Sequence, residues 1–316
     1  MKKIILIFAF IQVMSFSLIA QTSTEEIEKL RQVNQETLAT YKAGKFNDAL
    51  KSAQTALDLT IKIFGAEHIE TATSHTNLGA IYRATKKYKE AAEHFQKALT
   101  IYQQNPKQNA GRIAKTSESL GIILALDGKK KQGEEVLLQS VISAENAYGK
   151  ESKEILPYLK SLSDFYIYVK KPVEAQQVFV RRYLITAKHF QLTSKELEAV
   201  ADDFYCFSLQ NYKSNEIDAR RTEFYEATRS VRSEAIKSAE SETSGKTISA
   251  GVVNSKAKNL AKPAYPASAR ARAAQGTIPV KVKIDEEGKV ISAKAICGDS
   301  DLQTRSEEHT SELQSQ

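Results

Sequence analysis

The chain has 316 residues, 26% charged and 41% hydrophobic, with no tryptophan and a formal net charge of +7. That length allows two domains, and the charged fraction together with 13 Gly and 6 Pro excludes collagen-like, low-complexity and polytopic membrane classes. Two cysteines, Cys206 and Cys297, are too few for a disulfide framework or a four-cysteine zinc site, and a moderate charge needs local evidence before nucleic acid is invoked.

Residues 1–20 open with Lys2 and Lys3, continue through an apolar stretch from Ile4, and end on the small residue Ala20. That order is the pattern of a secretory signal peptide, so export with cleavage before Gln21 is expected. The alternative is an uncleaved anchor, for which a stretch interrupted by Gln12, Ser15 and Ser17 is at the lower limit of length. At the other end, residues 305–315 resemble a short sequencing adapter translated in one frame. Residues 305–316 are therefore expected to be an artefact, and His309 is not read as a ligand.

The middle of the chain repeats with a period of 42. The series Leu78, Gly79, Tyr82, Tyr88, Ala91, Phe95, Ala98 and Leu99 recurs as Leu120, Gly121, Leu124, Gly133, Leu137 and Val141. Another step of 42 reaches Leu162, Tyr166, Ala175 and Phe179, and a step back reaches Phe46, Ala49, Ala53, Ala56 and Leu57. Phe64-Gly65 recurs two periods later as Tyr148-Gly149. Each unit reads as two antiparallel helices, with small residues where helices cross and large ones between neighbours. One unit cannot bury its apolar face alone, so the units stack into a solenoid. These residues resemble tetratricopeptide repeats, in the 42-residue variety of kinesin light chain, over about Leu30 to Phe204. Lys130 and Pro172 stand where Phe46 and Tyr88 are aromatic, and Gly133 replaces an alanine, so the third and fourth units are degenerate.

Two more helical stretches follow Glu196. Ile217, Phe224 and Val231 form one stripe, with Arg220, Arg221, Arg229 and Arg232 on the other faces. The arginines are read as the polar outer face of a capping helix rather than as a nucleic-acid patch, because no aromatic platform accompanies them in the sequence. The solenoid with its caps is thus assigned to residues 21–236 and a Ser/Thr/Lys-rich linker to 237–250. Ser244-Gly245-Lys246-Thr247 is no phosphate loop, since Glu240 stands where a glycine is needed.

Residues 251–304 change character. Lys262-Pro263-Ala264-Tyr265-Pro266 precedes a short helix bearing Arg270 and Arg272, and Gly276 opens a strand that alternates Ile278, Val280, Val282 and Ile284 with Lys281 and Lys283. Asp285-Glu286-Glu287-Gly288 reads as a hairpin turn and Lys289–Lys294 as the returning strand. Pro263, Tyr265, Pro266, Arg270, Gly276, Asp285 and Gly288 resemble the motif of the TonB C-terminal domain, here truncated before its second helix and last strand. The resemblance implies contact with periplasmic segments of outer-membrane receptors, by strand addition at a sheet edge. Ten Lys/Arg against five Asp/Glu in 245–304 would favour acidic partners. A hairpin with one short helix lacks the area to be stable alone, so residues 250–304 are expected to be disordered or loosely held.

No nucleophile elbow, dinucleotide fingerprint or zinc-protease helix occurs. Glu90 and His94 lie one helical turn apart but read as packing and solvent-facing residues. His68 and His75 read as surface or capping residues, Cys206 as a small buried hydrophobe and Cys297 as a lone thiol. The expectation is a mainly α protein: a tetratricopeptide solenoid followed by a small, incomplete α+β TonB-like domain, without catalytic, cofactor or metal site. It is read as an exported, periplasmic adaptor for protein or peptide partners, without nucleic acid, and with membrane contact only if the N-terminal segment stays attached. Partner contact is assigned to the inner helices near Asn77, Tyr82 and Arg83. The alternatives are a membrane-anchored TonB-family energy transducer and a purely structural scaffold.

Overall fold

The computed structural model describes residues 24–190, 195–229, 280–284, 290–295 and 297. They divide into a unit ending at Val169 and a unit beginning at Lys170. The first contains α1 (24–42), α2 (Phe46–Phe64), α3 (Ile69–Ala84), α4 (Tyr88–Tyr102), α5 (Ala110–Leu126), α6 (Lys130–Tyr148), a 3-10 turn (Lys153–Ile155) and α7 (Leu156–Tyr168). The second contains α8 (Pro172–His189), α9 (Lys195–Asn211), α10 (Ser214–Ala227), β1 (Val280–Ile284) and β2 (Val290–Ala295).

The 42-residue period is written into the backbone. The turn after each first helix passes through one left-handed residue: Gly44 at φ 72°, Lys86 at 59°, Gly128 at 84° and Lys170 at 60°. Three of these turns close with the same bond pair: Gly44 N–H to Tyr41 O and Lys45 N–H to Thr40 O, Lys86 to Arg83 and Lys87 to Tyr82, Gly128 to Ala125 and Lys129 to Leu124, at 2.8–3.2 Å. This is the helix-ending motif that satisfies orphan carbonyls through a left-handed residue, where glycine avoids the Cβ clash. Two of the longer turns between pairs start at a glycine with positive φ, Gly65 at 95° and Gly149 at 97°. Each leads into an N-cap whose side chain accepts a backbone bond at 3.2 Å, His68 Nδ1 from Glu70 N–H and Ser152 Oγ from Glu154 N–H.

Helices α2 to α7 each pack on the next. Ala49, Ala53 and Leu57 of α2 meet Leu78 and Ile81 of α3 in one cluster. A second joins Ala72 to Ala91, Phe95, Ala98 and Leu99 of α4 and to Ile113, Leu120 and Ile123 of α5. The pair α5–α6 is the tightest. A Cβ on Gly121 would stand 2.6 Å from Leu137 Cγ, and one on Gly133 would stand 2.8 Å from the Gly121 carbonyl oxygen. Gly133 is therefore a requirement of this helix crossing. At one of the two replaced aromatics, Lys130 Nζ lies over the Tyr168 ring at 5.1 Å.

In the second unit, Phe179 of α8, Phe204 and Phe207 of α9 and Phe224 of α10 form one aromatic core, with Phe204 stacked on Phe224 at 4.0 Å. Tyr212 ties the α9–α10 turn to the start of α8 by donating to Pro172 O at 3.2 Å. Ile217 and Phe224 both face inward, as the stripe predicts, while Val231 lies outside the described residues. The expected signal at 1–20, the linker 237–250, the artefact 305–316 and the motif residues Pro263, Tyr265, Pro266, Arg270, Gly276, Asp285 and Gly288 also lie outside them. Strands β1 and β2 pair antiparallel, Val280 with Ala295 through Ile284 with Val290, with an irregularity at Lys283/Ile284.

The cysteine reading needs correcting. Cys206 and Cys297 are joined in a disulfide, with Cα atoms 5.8 Å apart and a sequence separation of 91. Neither is the isolated thiol or the buried apolar filler that the sequence suggests; both are half-buried. No described helix is long and apolar enough to cross a membrane.

Candidate peptide-binding groove

Helix α5 packs on α3 and on α7 as well as on its neighbours in sequence, so the first helices of successive pairs lie side by side and line one face. Residues 42 apart occupy equivalent places on that face. One row is Leu38, Ala80 and Ile122, with Leu38 54% exposed and the other two half-buried. The adjoining row is Gln35, Asn77, Ser119 and Ser161, of which Gln35 and Asn77 are exposed. Arg83 stands exposed at the end of α3. An apolar strip beside amide side chains can take up a peptide, since each amide offers a donor and an acceptor to a strand's backbone.

Of the three residues assigned to partner contact, Asn77 and Arg83 are exposed, and the side chain of neither has a hydrogen bond or ion pair among the described residues. Tyr82 is placed differently. Its ring is half-buried, packs against both core clusters and stacks on His94 at 5.3 Å. Glu118 of α5 is buried, with Lys115 Nζ donating to it at 2.6 Å and Ser161 Oγ of α7 at 2.6 Å. Where α6 meets α7, the Tyr148 and Tyr158 hydroxyls are hydrogen-bonded, and burial pushes Tyr158 up to about 12.

Behind Tyr82 lies a pair that sequence spacing does not reveal. His75 Nδ1 and His94 Nδ1, on α3 and α4, are 3.0 Å apart and share one proton as donor and acceptor. His75 is 9% exposed, not the surface residue expected. Burial, then the neighbouring His94, then Lys97 push its pKa down to about 4. His94 is lowered by burial and Lys97, against a smaller opposing effect of Glu93. The unfolded chain protonates His75 near 6.5, so it binds more protons than the folded chain between pH 6.5 and 4. Stability from this pair is therefore complete above pH 6.5 and falls as pH drops toward 4, by about 2–3 kcal/mol over that window. Urea unfolding at stepped pH checks it, and H75Q should flatten the slope. Among the described residues no three His, Cys, Asp or Glu side chains gather as a metal would require.

The arginines of α10 do meet aromatic rings, although the sequence shows no platform. Arg221 lies over Tyr205 at 4.7 Å and Tyr225 at 5.8 Å, and Arg220 over Tyr212 at 5.4 Å while bonding Glu223 at 2.9 Å. The contacts are internal, so these cations and rings are engaged with one another. An open pocket of about 520 Å³ lies between the start of α5 and the end of α6, lined by Lys107, Arg112, Lys115, Asn146 and Tyr148.

Residues 38–104 match the family model for the tetratricopeptide repeat. Within those residues the helix pairs are similar to tetratricopeptide repeats. A Podosopora anserina kinesin light chain of nearly identical TPR-like repeats is 18% identical, with a TM-score of 0.52 over 66% of this chain and 96% of that one. BtubC from P. vanneervenii is 15% identical, also at 0.52, over 73% of this chain and 95% of that one. At these identities the likeness is one of fold, and it extends the tetratricopeptide solenoid beyond the matched residues. Residues 261–307 match the model for the Gram-negative bacterial TonB protein C-terminal region. No curated protein matches the sequence. Tetratricopeptide repeats generally serve as scaffolds for protein–protein interaction.

Proposed function

We propose that this chain is an exported, periplasmic adaptor: the tetratricopeptide groove holds a protein or peptide partner, and the TonB-like segment contacts a second protein of the cell envelope, such as an outer-membrane receptor. The observation that carries the first half is the face of α1, α3 and α5, where the apolar row Leu38, Ala80 and Ile122 runs beside the unpaired Asn77 and Arg83. Exposed polar groups without internal partners beside apolar surface are what a peptide backbone and its side chains can use. Export is supported by the basic and apolar order of residues 1–20 and by the joined cysteines, since disulfides persist in oxidising compartments.

A photo-crosslinking residue placed at position 80 in the native host should trap a partner, whereas one at the outward-facing Lys89 should not. Substituting Asn77 by alanine and Arg83 by glutamate should together weaken that partner's affinity by about tenfold to a hundredfold, measured by titration calorimetry with the trapped protein. Equal trapping at both positions would remove the groove from the account. N-terminal sequencing separates the adaptor from an anchored transducer: a mature chain beginning at Gln21 excludes the anchor, and one retaining residues 1–20 excludes the free adaptor. Deleting residues 245 onward should abolish the envelope contact; unchanged capture would leave only a scaffold.

A further inference from the structure

We propose that Cys206 and Cys297 form a reducible latch that fixes the β1–β2 hairpin to α9. They are the only cysteines in 316 residues, and the fold brings them together from 91 residues apart. Their Cα separation of 5.8 Å is in the middle of the range that a disulfide spans. Two neighbouring residues of the hairpin meet the same unit: Lys294 Nζ lies 3.6 Å from Asp202 Oδ2 on α9, and Ala295 is buried.

Two features distinguish a latch from an inert staple. An isolated two-stranded hairpin is marginal in water, so whether this one stays in place depends on what ties it down. The ion pair that accompanies the disulfide is weak in kind, with Lys294 largely solvent-exposed. Second, Cys206 and Cys297 are half-buried and not sealed in a core, so an external thiolate can reach a sulfur. The rings that hold α9 belong to its neighbours in sequence, Phe204 and Phe207, which are buried. Opening the bond therefore leaves the seat of α9 intact.

The exchange balances with a dithiol reductant. One reductant thiolate attacks one sulfur of the pair, forming a mixed disulfide and releasing the other cysteine as a thiolate, which takes up a proton. The reductant's second thiolate then displaces the remaining cysteine, which is protonated in turn. Two electrons and two protons pass to the protein, and the reductant leaves as a disulfide. The TonB-like segment thereby changes from a segment closed into a loop at α9 to one joined to it only through the chain.

The test uses the full-length protein purified without reductant. Alkylation should label no thiol, and digestion should yield a peptide linking Cys206 to Cys297. Dithiothreitol without denaturant should open the bond, and amides of residues 290–295 should then exchange at least tenfold faster while α3–α6 stay unchanged. C206S and C297S should each show the reduced pattern. Free thiols in the untreated protein would overturn the latch. So would a bond that resists the native dithiol, or exchange at 290–295 that reduction does not alter.

Discussion

Replacing Gly133 by alanine lowers the stability of the first unit by about 2–3 kcal/mol, although the change brings the third repeat closer to its neighbours. The repeat pattern argues the other way: Ala49, Ala91 and Ala175 occupy the equivalent place, and alanine is the better helix former by about 1 kcal/mol. The crossing of α5 and α6 decides the sign. A Cβ at 133 would stand 2.8 Å from the Gly121 carbonyl oxygen and 3.1 Å from the Ala125 amide nitrogen, both backbone atoms of the facing helix. Backbone cannot rotate aside as a side chain can, so the two helices must separate. That separation also loosens Leu137, whose Cγ lies where a Cβ of Gly121 would be. G121A meets Leu137 Cγ at 2.6 Å and the Gly133 carbonyl oxygen at 3.0 Å and should cost a similar amount, and the double variant less than the sum, because one separation accommodates both. Urea unfolding followed by circular dichroism measures all three. A neutral G133A would mean that α5 and α6 can part without cost, and the tight crossing described here would be wrong.

That conflict between pattern and packing shows what the sequence carries. The 42-residue period, the helix pairs and the positions of Ala49, Phe95, Leu137 and Phe179 were legible because burial repeats with the period and each residue type reports its own burial. The left-handed turn at the end of each first helix has the same period, yet only Gly44 and Gly128 reveal it; Lys86 and Lys170 adopt the same conformation at a steric cost that no residue type announces. For the groove, exposure of Asn77 and Arg83 follows from polarity, whereas an amphipathic tyrosine fits a groove or a core equally, and the stacking on His94 settles Tyr82 only in three dimensions. His75 and His94 sit 19 residues apart on different helices, and Cys206 and Cys297 are 91 apart; neither spacing is a motif. The α10 arginines and their tyrosines are likewise drawn from two helices and meet only through packing.

Replacing Phe224 by alanine should cost about 3–5 kcal/mol and open the second unit. The ring is 1% exposed, stacks on Phe204 at 4.0 Å and takes the edge of Tyr183 at 5.4 Å, so its removal leaves a cavity between all three helices. Phe204 in turn meets Phe179 and Phe207, so the loss spreads to the face of α9. Ile217 shares the stripe but is only half-buried, and I217A should cost about 1 kcal/mol. The same stack decides where Cys206 sits, because Phe204 and Phe207 anchor α9 on either side of it. F224A should therefore slow re-formation of the Cys206–Cys297 bond on oxidative refolding, read from the rate at which free thiols disappear. A double-mutant cycle between F204A and F224A should give a coupling of about 1 kcal/mol, the contribution of the stacked pair beyond its area. If the two losses simply add, the rings are buried independently, α10 is a lid over a core that α8 and α9 complete alone, and the rate of disulfide closure should then be indifferent to Phe224.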